Sequence, residues 1–478
     1  MVKKKPPGVH LNPGNKYLLV QIIVPWLLIY LALFLRVYKA DIYPIHNESD
    51  SVKYVWAGNS LFRNFHKPVS NSIFIAELGE NIIWRSDYNF FDTVRRFRFH
   101  LVEPFMDTPP LGMMYFAIPA YLFNYVNFSQ IPPILYMLPA ILLSILSLLF
   151  TFLLAKKLLG LKIAYLALII YGFTPIFIYS HRLAYLENII TPLLLITLYL
   201  LYSNSIIPRT YKLILLLMIS ALSLWIKLPG IWIAFIITFW LIKWRKAKSA
   251  LWVVGVTLVS LTLYLVYGLS INSQQFIKTM QIQGNRGMDI NAFFTIMTAP
   301  DFYQPFHDGI YLIGFISIFA LLFMRKKSDQ LDFLTTNFIL WLVVIILTTN
   351  KNNNFFWYRM PLYPFICISI AYYIDRLFRS NQILIAIPFL VLGFFGLDAL
   401  QLHFSNSVLR LLFIILFVLI LAPKIWPNSK LALAFGKSIS IALLILILGL
   451  NIITAIKYPN TQCLTDNCLM PDKIVVSK

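Results

Sequence analysis

The stretch Pro132-Pro-Ile-Leu-Tyr-Met-Leu-Pro-Ala-Ile-Leu-Leu-Ser-Ile-Leu-Ser-Leu-Leu-Phe-Thr-Phe-Leu-Leu-Ala-Lys156-Lys157 decides the fold class. From Pro133 to Ala155 it holds no charged residue, and two lysines close it. About 20 consecutive apolar residues suffice for a helix to cross the hydrocarbon core of a bilayer. The rest of the 478-residue chain follows suit, with 59% hydrophobic residues, 12% charged residues and a mean hydropathy of +0.75. Soluble domains carry about 25% charged residues. The composition therefore excludes a soluble enzyme and predicts an all-α polytopic membrane protein.

Twelve further runs read as spans: roughly 17–35, 163–180, 187–203, 211–227, 229–243, 250–270, 309–324, 333–349, 360–375, 381–399, 408–422 and 438–456. That makes thirteen. The first lacks a small-residue cleavage site and is long enough to cross, so it reads as an uncleaved helix. The net charge of +21 would suggest nucleic acid in a soluble protein. In a membrane protein, basic residues mark cytoplasmic loops. With thirteen spans, 21 of the 40 basic residues fall in one set of short segments, with only Asp329, Asp332 and Asp375 beside them. The excess is then a topology signal, and no nucleic-acid partner is expected. This reading places residues 1–16 in the cytoplasm, the tail 457–478 outside, and the protein in the plasma membrane. The apolar stretch Leu111–Val126 becomes an outer interfacial or re-entrant helix, because counting it as a span would invert that charge pattern.

Two outer loops are long, 36–132 and 271–308, and loops of such length are usually functional. The first is rich in aromatics and charge, so chemistry is expected there. Residues 17–375 make the expected catalytic region, and 376–456 a set of C-terminal helices. Cys367 lies within a span, while Cys463 and Cys468 lie in the tail, where a local disulfide and free thiols are both open readings. The sequence contains no CxxC pair, His/Cys metal cluster or P-loop.

The first loop begins Asp41-Ile-Tyr-Pro-Ile-His46-Asn-Glu48-Ser-Asp50-Ser51-Val-Lys53-Tyr54-Val-Trp56. Val52, Val55, Trp56, Phe62 and Phe65 predict a short helix on the membrane surface, with Glu48 and Asp50 at its N-terminus. Asp50 is either an N-cap or a working carboxylate. The loop ends Glu103-Pro-Phe-Met-Asp107-Thr108-Pro109-Pro110-Leu111-Gly112, where the prolines hold Asp107 on extended backbone. Downstream stand Ser180-His181-Arg182-Leu-Ala-Tyr-Leu-Glu187-Asn188, then Trp225-Ile-Lys227-Leu-Pro229-Gly230, then Trp357-Tyr358-Arg359-Met-Pro361-Leu-Tyr363. Their bland readings are an Arg–Glu pair, a snorkelling lysine and an anchoring arginine.

Taken in order over roughly residues 15–375, these motifs resemble GT-C type membrane glycosyltransferases, in particular protein O-mannosyltransferases and bacterial aminoarabinose transferases. The family pattern Asp-Glu-x-x-Tyr matches at Asp50 and Tyr54, with Ser51 in place of the Glu. The pattern His-Pro-Pro-Leu-Gly matches from Pro109 to Gly112, with Thr108 in place of the His. The resemblance implies about thirteen transmembrane helices and transfer of a hexose or pentose from a polyprenyl-phosphate donor to an acceptor hydroxyl, with inversion, on the outer face. Asp50 is the expected base and Glu48 the alternative. Arg359, Lys227 and Arg182 are expected at the donor phosphate. Asp107, Glu187, His181, Tyr54 and Tyr363 are expected to support sugar or acceptor. Some relatives use a divalent cation, which makes Asp50 a candidate ligand. The acceptor is a protein, a lipid or a glycan. The rival readings are a lipid-linked sugar flippase and a non-catalytic scaffold of a glycan assembly complex. Span centres nearly free of charge argue against a transporter.

Overall fold

The computed structural model describes residues 19–41, 49–66, 68–71, 83–85, 101–125, 131–202, 208–285, 310–324, 328–349 and 356–379, with scattered positions at 293 and 296 and from 405 to 457. Glu48, Cys463, Cys468 and the expected span 381–399 lie outside the described residues, as does most of 408–422.

The described residues are largely helical, with one small sheet. A π-helical turn, Leu19–Ile23, leads into α1 (Val24–Val37). In the first long loop come α2 (Ser49–Arg63), the strands β1 (Ser70–Asn71), β2 (Ile83–Arg85) and β3 (Leu101–Glu103), and α3 (Pro110–Leu122). β3 lies antiparallel between β1 and β2. The bundle continues with α4 (Pro133–Leu159), α5 (Leu161–Phe173), α6 (Pro175–Ser180), α7 (Glu187–Tyr202), α8 (Arg209–Ile226), α9 (Ile231–Lys243) and α10 (Ala247–Gly284). It closes with α11 (Ile310–Leu322), α12 (Asp329–Thr348), α13 (Tyr363–Arg379) and a last helix, α14 (Leu444–Lys457). Among the described residues, α4, α10 and α12 are long and apolar enough to cross a membrane, and eight shorter apolar helices accompany them. The protein is an integral membrane protein.

Two breaks depart from the uniform spans expected. The run 163–180 divides at Thr174, which is extended (φ −81°, ψ 127°) before Pro175. Proline has no N–H to continue the helix and disfavours the α conformation in the residue before it. The run 250–270 does not stop where expected. It continues as helix to Gly284 across a non-helical Asn272 (φ −159°, ψ 99°). The Asn272 side chain accepts a hydrogen bond from the Gln275 backbone N–H at 3.0 Å, which restarts the helix as an N-cap does. The first third of the expected loop 271–308 is therefore a rigid helical extension.

α2 and α3 pack closely, and glycine permits it. A Cβ on Gly58 would lie 2.0 Å from the Met113 carbonyl oxygen. A Cβ on Gly112 would meet Leu186 at 2.7 Å and Ile226 at 3.0 Å. Gly112 thus brings the start of α3 against the ends of two other segments that carry candidate residues. Gly58→Ala is expected to push α2 off α3 and to cost about 1–3 kcal/mol, the usual range for overpacking. Thermal unfolding in detergent, compared with wild type, measures it.

Candidate functional site

Four segments meet at the end of the bundle that carries α2 and α3. α2 contributes Asp50, Lys53 and Tyr54. The Lys53 ammonium lies 2.7 Å from Asp50 Oδ1, and the Tyr54 hydroxyl donates to Asp50 Oδ2 across 3.4 Å. The helix is pinned from two sides. Ser51 is buried, and its hydroxyl accepts the Ala184 N–H at 2.9 Å. The Ser70 hydroxyl donates to the Lys53 carbonyl at 2.9 Å. The serine standing where the resemblance implies a second acid therefore docks α2 onto the segment before α7.

Asp107 comes from the extended segment after β3. It is buried, and its backbone carbonyl accepts the Gln283 side-chain amide from the extension of α10. Gln275, two turns earlier, donates to the Pro104 carbonyl at 2.5 Å. The helical extension beyond Asn272 is thus what holds the Asp107 segment in place.

Lys227 and Glu187 form the third part. Lys227 is extended (φ −158°, ψ 140°) where α8 ends, and Glu187 opens α7. Their side chains pair at 2.5 Å, both nearly inaccessible to solvent. The Lys227 ammonium also sits 4.5 Å from the centre of the Tyr358 ring. Tyr358 lies in the 3-10 turn Phe356–Leu362 with Arg359, which is buried. Trp357 stacks on Tyr185 at 4.6 Å and fixes this turn over the Arg182–Glu187 segment.

These groups form one electrostatic unit. Burial disfavours the Lys53 charge, but Asp50 and Asp107 outweigh it and raise its pKa above the ordinary lysine value. Burial likewise opposes the Lys227 charge, and Glu187, Tyr358 and Asp50 together raise its pKa. Both lysines are permanent cations. A cavity of about 380 Å³ opens beside them. Asp107, Lys227 and Tyr358 form part of its polar lining, and Trp232, Met280 and Leu347 part of its apolar lining. Lys227 is the only basic residue among the described lining residues.

Other expected site residues lie elsewhere. Arg182 is fully buried, and its guanidinium donates to the carbonyls of Leu35 at 2.6 Å and Tyr38 at 2.8 Å, stacked 4.9 Å from the Tyr179 ring centre. It caps the end of α1, whose last carbonyls have no helical partner, and is outside the cavity lining. His181 Nδ1 donates to Asn188 Oδ1 at 2.5 Å, and its Nε2 accepts from the Tyr171 hydroxyl at 2.7 Å. Burial, with the positive Arg36 nearby, pushes its pKa down to about 3, so it stays neutral. Tyr363 is buried against Phe177 (ring centres 4.7 Å apart), with its hydroxyl 3.4 Å from the Ser180 hydroxyl. The candidate metal ligand Asp50 has the Lys53 ammonium 2.7 Å from its Oδ1. Among the described residues no three His, Cys, Asp or Glu side chains form a metal-binding group.

Lys53 and Tyr358 are not among the candidate residues of the sequence. The available signal for Lys53 was its i+3 spacing from Asp50, which puts both on one helix face. Tyr358 adjoins Arg359, and nothing in its own spacing marks it.

Residues 107–267, about a third of the chain, match the family model described as dolichyl-phosphate-mannose-protein mannosyltransferase. No curated protein sequence matches the chain. Among solved structures, the fold is similar to ArnT from Cupriavidus metallidurans bound to undecaprenyl phosphate, with a TM-score of 0.54 and 14% identity over 95% of this chain and 79% of that one. The apo state of the same protein gives 0.54 and 15%, over 94% and 78%. An archaeal oligosaccharyltransferase, AglB from Archaeoglobus fulgidus, gives 0.47 and 9%, over 97% and 59%. The chain thus has the fold of the GT-C type membrane glycosyltransferases.

Proposed function

We propose that the protein transfers a sugar from a polyprenyl-phosphate donor to an acceptor hydroxyl, at the end of the bundle that faces away from the cytoplasm. The observation that carries this is one cavity joining a buried carboxylate and lysine cluster to an apolar wall. A lipid-linked phosphate needs that combination: a hydrocarbon path past Trp232, Met280 and Leu347, and a cation at its end. Lys227 is the cation in the lining, with Arg359 beside Tyr358 in the same turn. The match over residues 107–267 supports the reading, as does the undecaprenyl phosphate bound to the ArnT neighbour.

The acceptor oxygen attacks the anomeric carbon as the bond from that carbon to the phosphate oxygen breaks. The electron pair leaves with the phosphate, and the acceptor proton passes to Asp50. Such general-base help is worth about 10²–10⁴-fold. Fixed cations at the leaving phosphate act in a water-poor site, where electrostatic stabilisation is strongest. Glu187 holds the Lys227 ammonium at the cavity wall.

The test is to incubate purified protein in lipid with a panel of polyprenyl-phosphate sugars, mannose included, and to measure release of polyprenyl phosphate. Turnover of at least one donor is expected. Arg359→Ala is expected to weaken donor binding about tenfold or more, since it removes a charge-assisted contact worth about 1.5–3 kcal/mol. Unchanged donor affinity in that variant would make Arg359 a structural anchor of the turn.

A further inference from the structure

We propose that Gln283 is a specificity-determining residue of this site: its side-chain amide, held by the Asp107 carbonyl, presents its oxygen and its second N–H to a hydroxyl of the donor sugar. The inference rests on the reading of the cavity as the place where the donor binds.

A glutamine amide carries two N–H donors and one carbonyl acceptor. The protein uses one of the donors, since Nε2 donates to the Asp107 backbone carbonyl. That contact also fixes which way the amide lies. A carbonyl accepts only from an N–H or O–H, so Oε1 cannot take the place of Nε2. Among the described residues, Oε1 and the second N–H have no hydrogen-bond partner. Gln283 is half-buried and lines the cavity together with Lys227 and Asp107. A Cβ on the next residue, Gly284, would meet nothing within 4 Å, so open space lies beside the amide. Two other neutral side chains of the lining have already spent their protons. The Thr108 hydroxyl donates to Met113 Sδ at 3.1 Å, and the Thr348 hydroxyl to the Val344 carbonyl at 2.8 Å.

The amide stands on a rigid support. Asn272 caps the extension of α10, and Phe276 packs so close to Gly268 that a Cβ there would come within 2.3 Å of its ring. Gln275 donates to the Pro104 carbonyl at 2.5 Å. Gln275 and Gln283 thus tie two points of the extension to the segment that carries Asp107, but of the two only Gln283 lines the cavity. Recognition groups on a helix are held more precisely than groups on a loop. The donor sugar is joined to its phosphate through a single oxygen, so a phosphate at Lys227 brings the sugar ring into the cavity that Gln283 lines. A hydroxyl both donates and accepts, which matches an amide offering one acceptor and one donor.

The experiment measures release of undecaprenyl phosphate by the full chain in lipid. The probes are undecaprenyl-phosphate mannose and its 2-, 3-, 4- and 6-deoxy analogues, or the corresponding analogues of whichever panel sugar is turned over. Gln283→Met keeps the length of the side chain and removes the amide. It is expected to lower kcat/KM for the parent donor about 2- to 10-fold more than for one analogue, the one without the hydroxyl that the amide meets. Gln275→Met cuts the other tether and is expected to lower kcat/KM for the parent and all analogues by one common factor. A common factor in Gln283→Met as well would make Gln283 a tether and would overturn the proposal. Gln283→Asn keeps an amide but draws it back by one methylene, and serves the same comparison if Gln283→Met does not fold. No release by wild type from any sugar of the panel overturns the donor-site reading, and this proposal with it.

Discussion

Asp50→Asn is expected to reduce sugar transfer by about 10²–10⁴-fold while leaving the protein folded and inserted. The substitution keeps the size and both contact positions of the side chain. It removes the charge and the capacity to take the acceptor's proton. Lys53 then faces a neutral amide, but its backbone remains tied to Ser70, and α2 remains docked through Ser51 and Ala184. The fold should therefore survive, at a lowered unfolding temperature because the buried Lys53 loses one of its two carboxylate neighbours. Donor binding should also survive, because the cavity lining presents Lys227 rather than Asp50. Wild-type turnover in this variant would remove Asp50 from the chemistry.

The second large effect concerns the Lys227–Glu187 pair. Both side chains are nearly buried, and the Tyr358 ring covers the ammonium. Removing one partner leaves the other charge in a poorly solvated place, at a typical cost of about 3–5 kcal/mol. Lys227→Met and Glu187→Gln are each expected to lower the unfolding temperature markedly. The double variant should regain much of the loss, because it leaves no buried charge unmatched. Unfolding in detergent for the four proteins of this cycle gives the coupling directly. Additive losses would mean that the two side chains act independently.

The two variants should differ in function. Lys227→Met removes the cation in the cavity lining and should weaken binding of undecaprenyl phosphate, measured on the folded fraction. Glu187→Gln retains that cation and should weaken binding less.

Much of this arrangement was legible from local sequence. Charge-free runs such as Pro133–Ala155 predicted the helices, because only a helix satisfies every backbone group inside lipid. Pro109, Pro110 and Gly112 marked the start of α3. Asp50 and Tyr54, four residues apart on one helix face, do interact. What escaped depends on contacts between distant residues. Lys227 and Glu187 are 40 residues apart, and no periodicity links the start of one helix to the end of the next. Arg182 donates to the Leu35 and Tyr38 carbonyls, backbone groups that carry no side-chain signature. The extension of α10 falls in the expected outer loop 271–308, where Gln274, Gln275, Gln281 and Gln283 are polar. Glutamine is a good helix former, and the N-cap role of Asn272 appears only once the kink is seen.

Ser51 shows the limit of motif matching. The pattern marks it as a lost acid, whereas the structure gives it a docking hydrogen bond to Ala184. Lys53 faces two carboxylates, Asp50 on its own helix and Asp107, 57 positions after Asp50 in the chain.

The central claim is a direct displacement in which Asp50 acts as a base and never bonds to the sugar. The measurement that tests it most directly is the anomeric configuration of the transferred sugar, read by NMR on product formed from a donor of known configuration. The account predicts inversion, from β in the donor to α in the product or the reverse. A product that retains the donor's configuration would contradict it, because retention requires a double displacement through a glycosyl-enzyme intermediate.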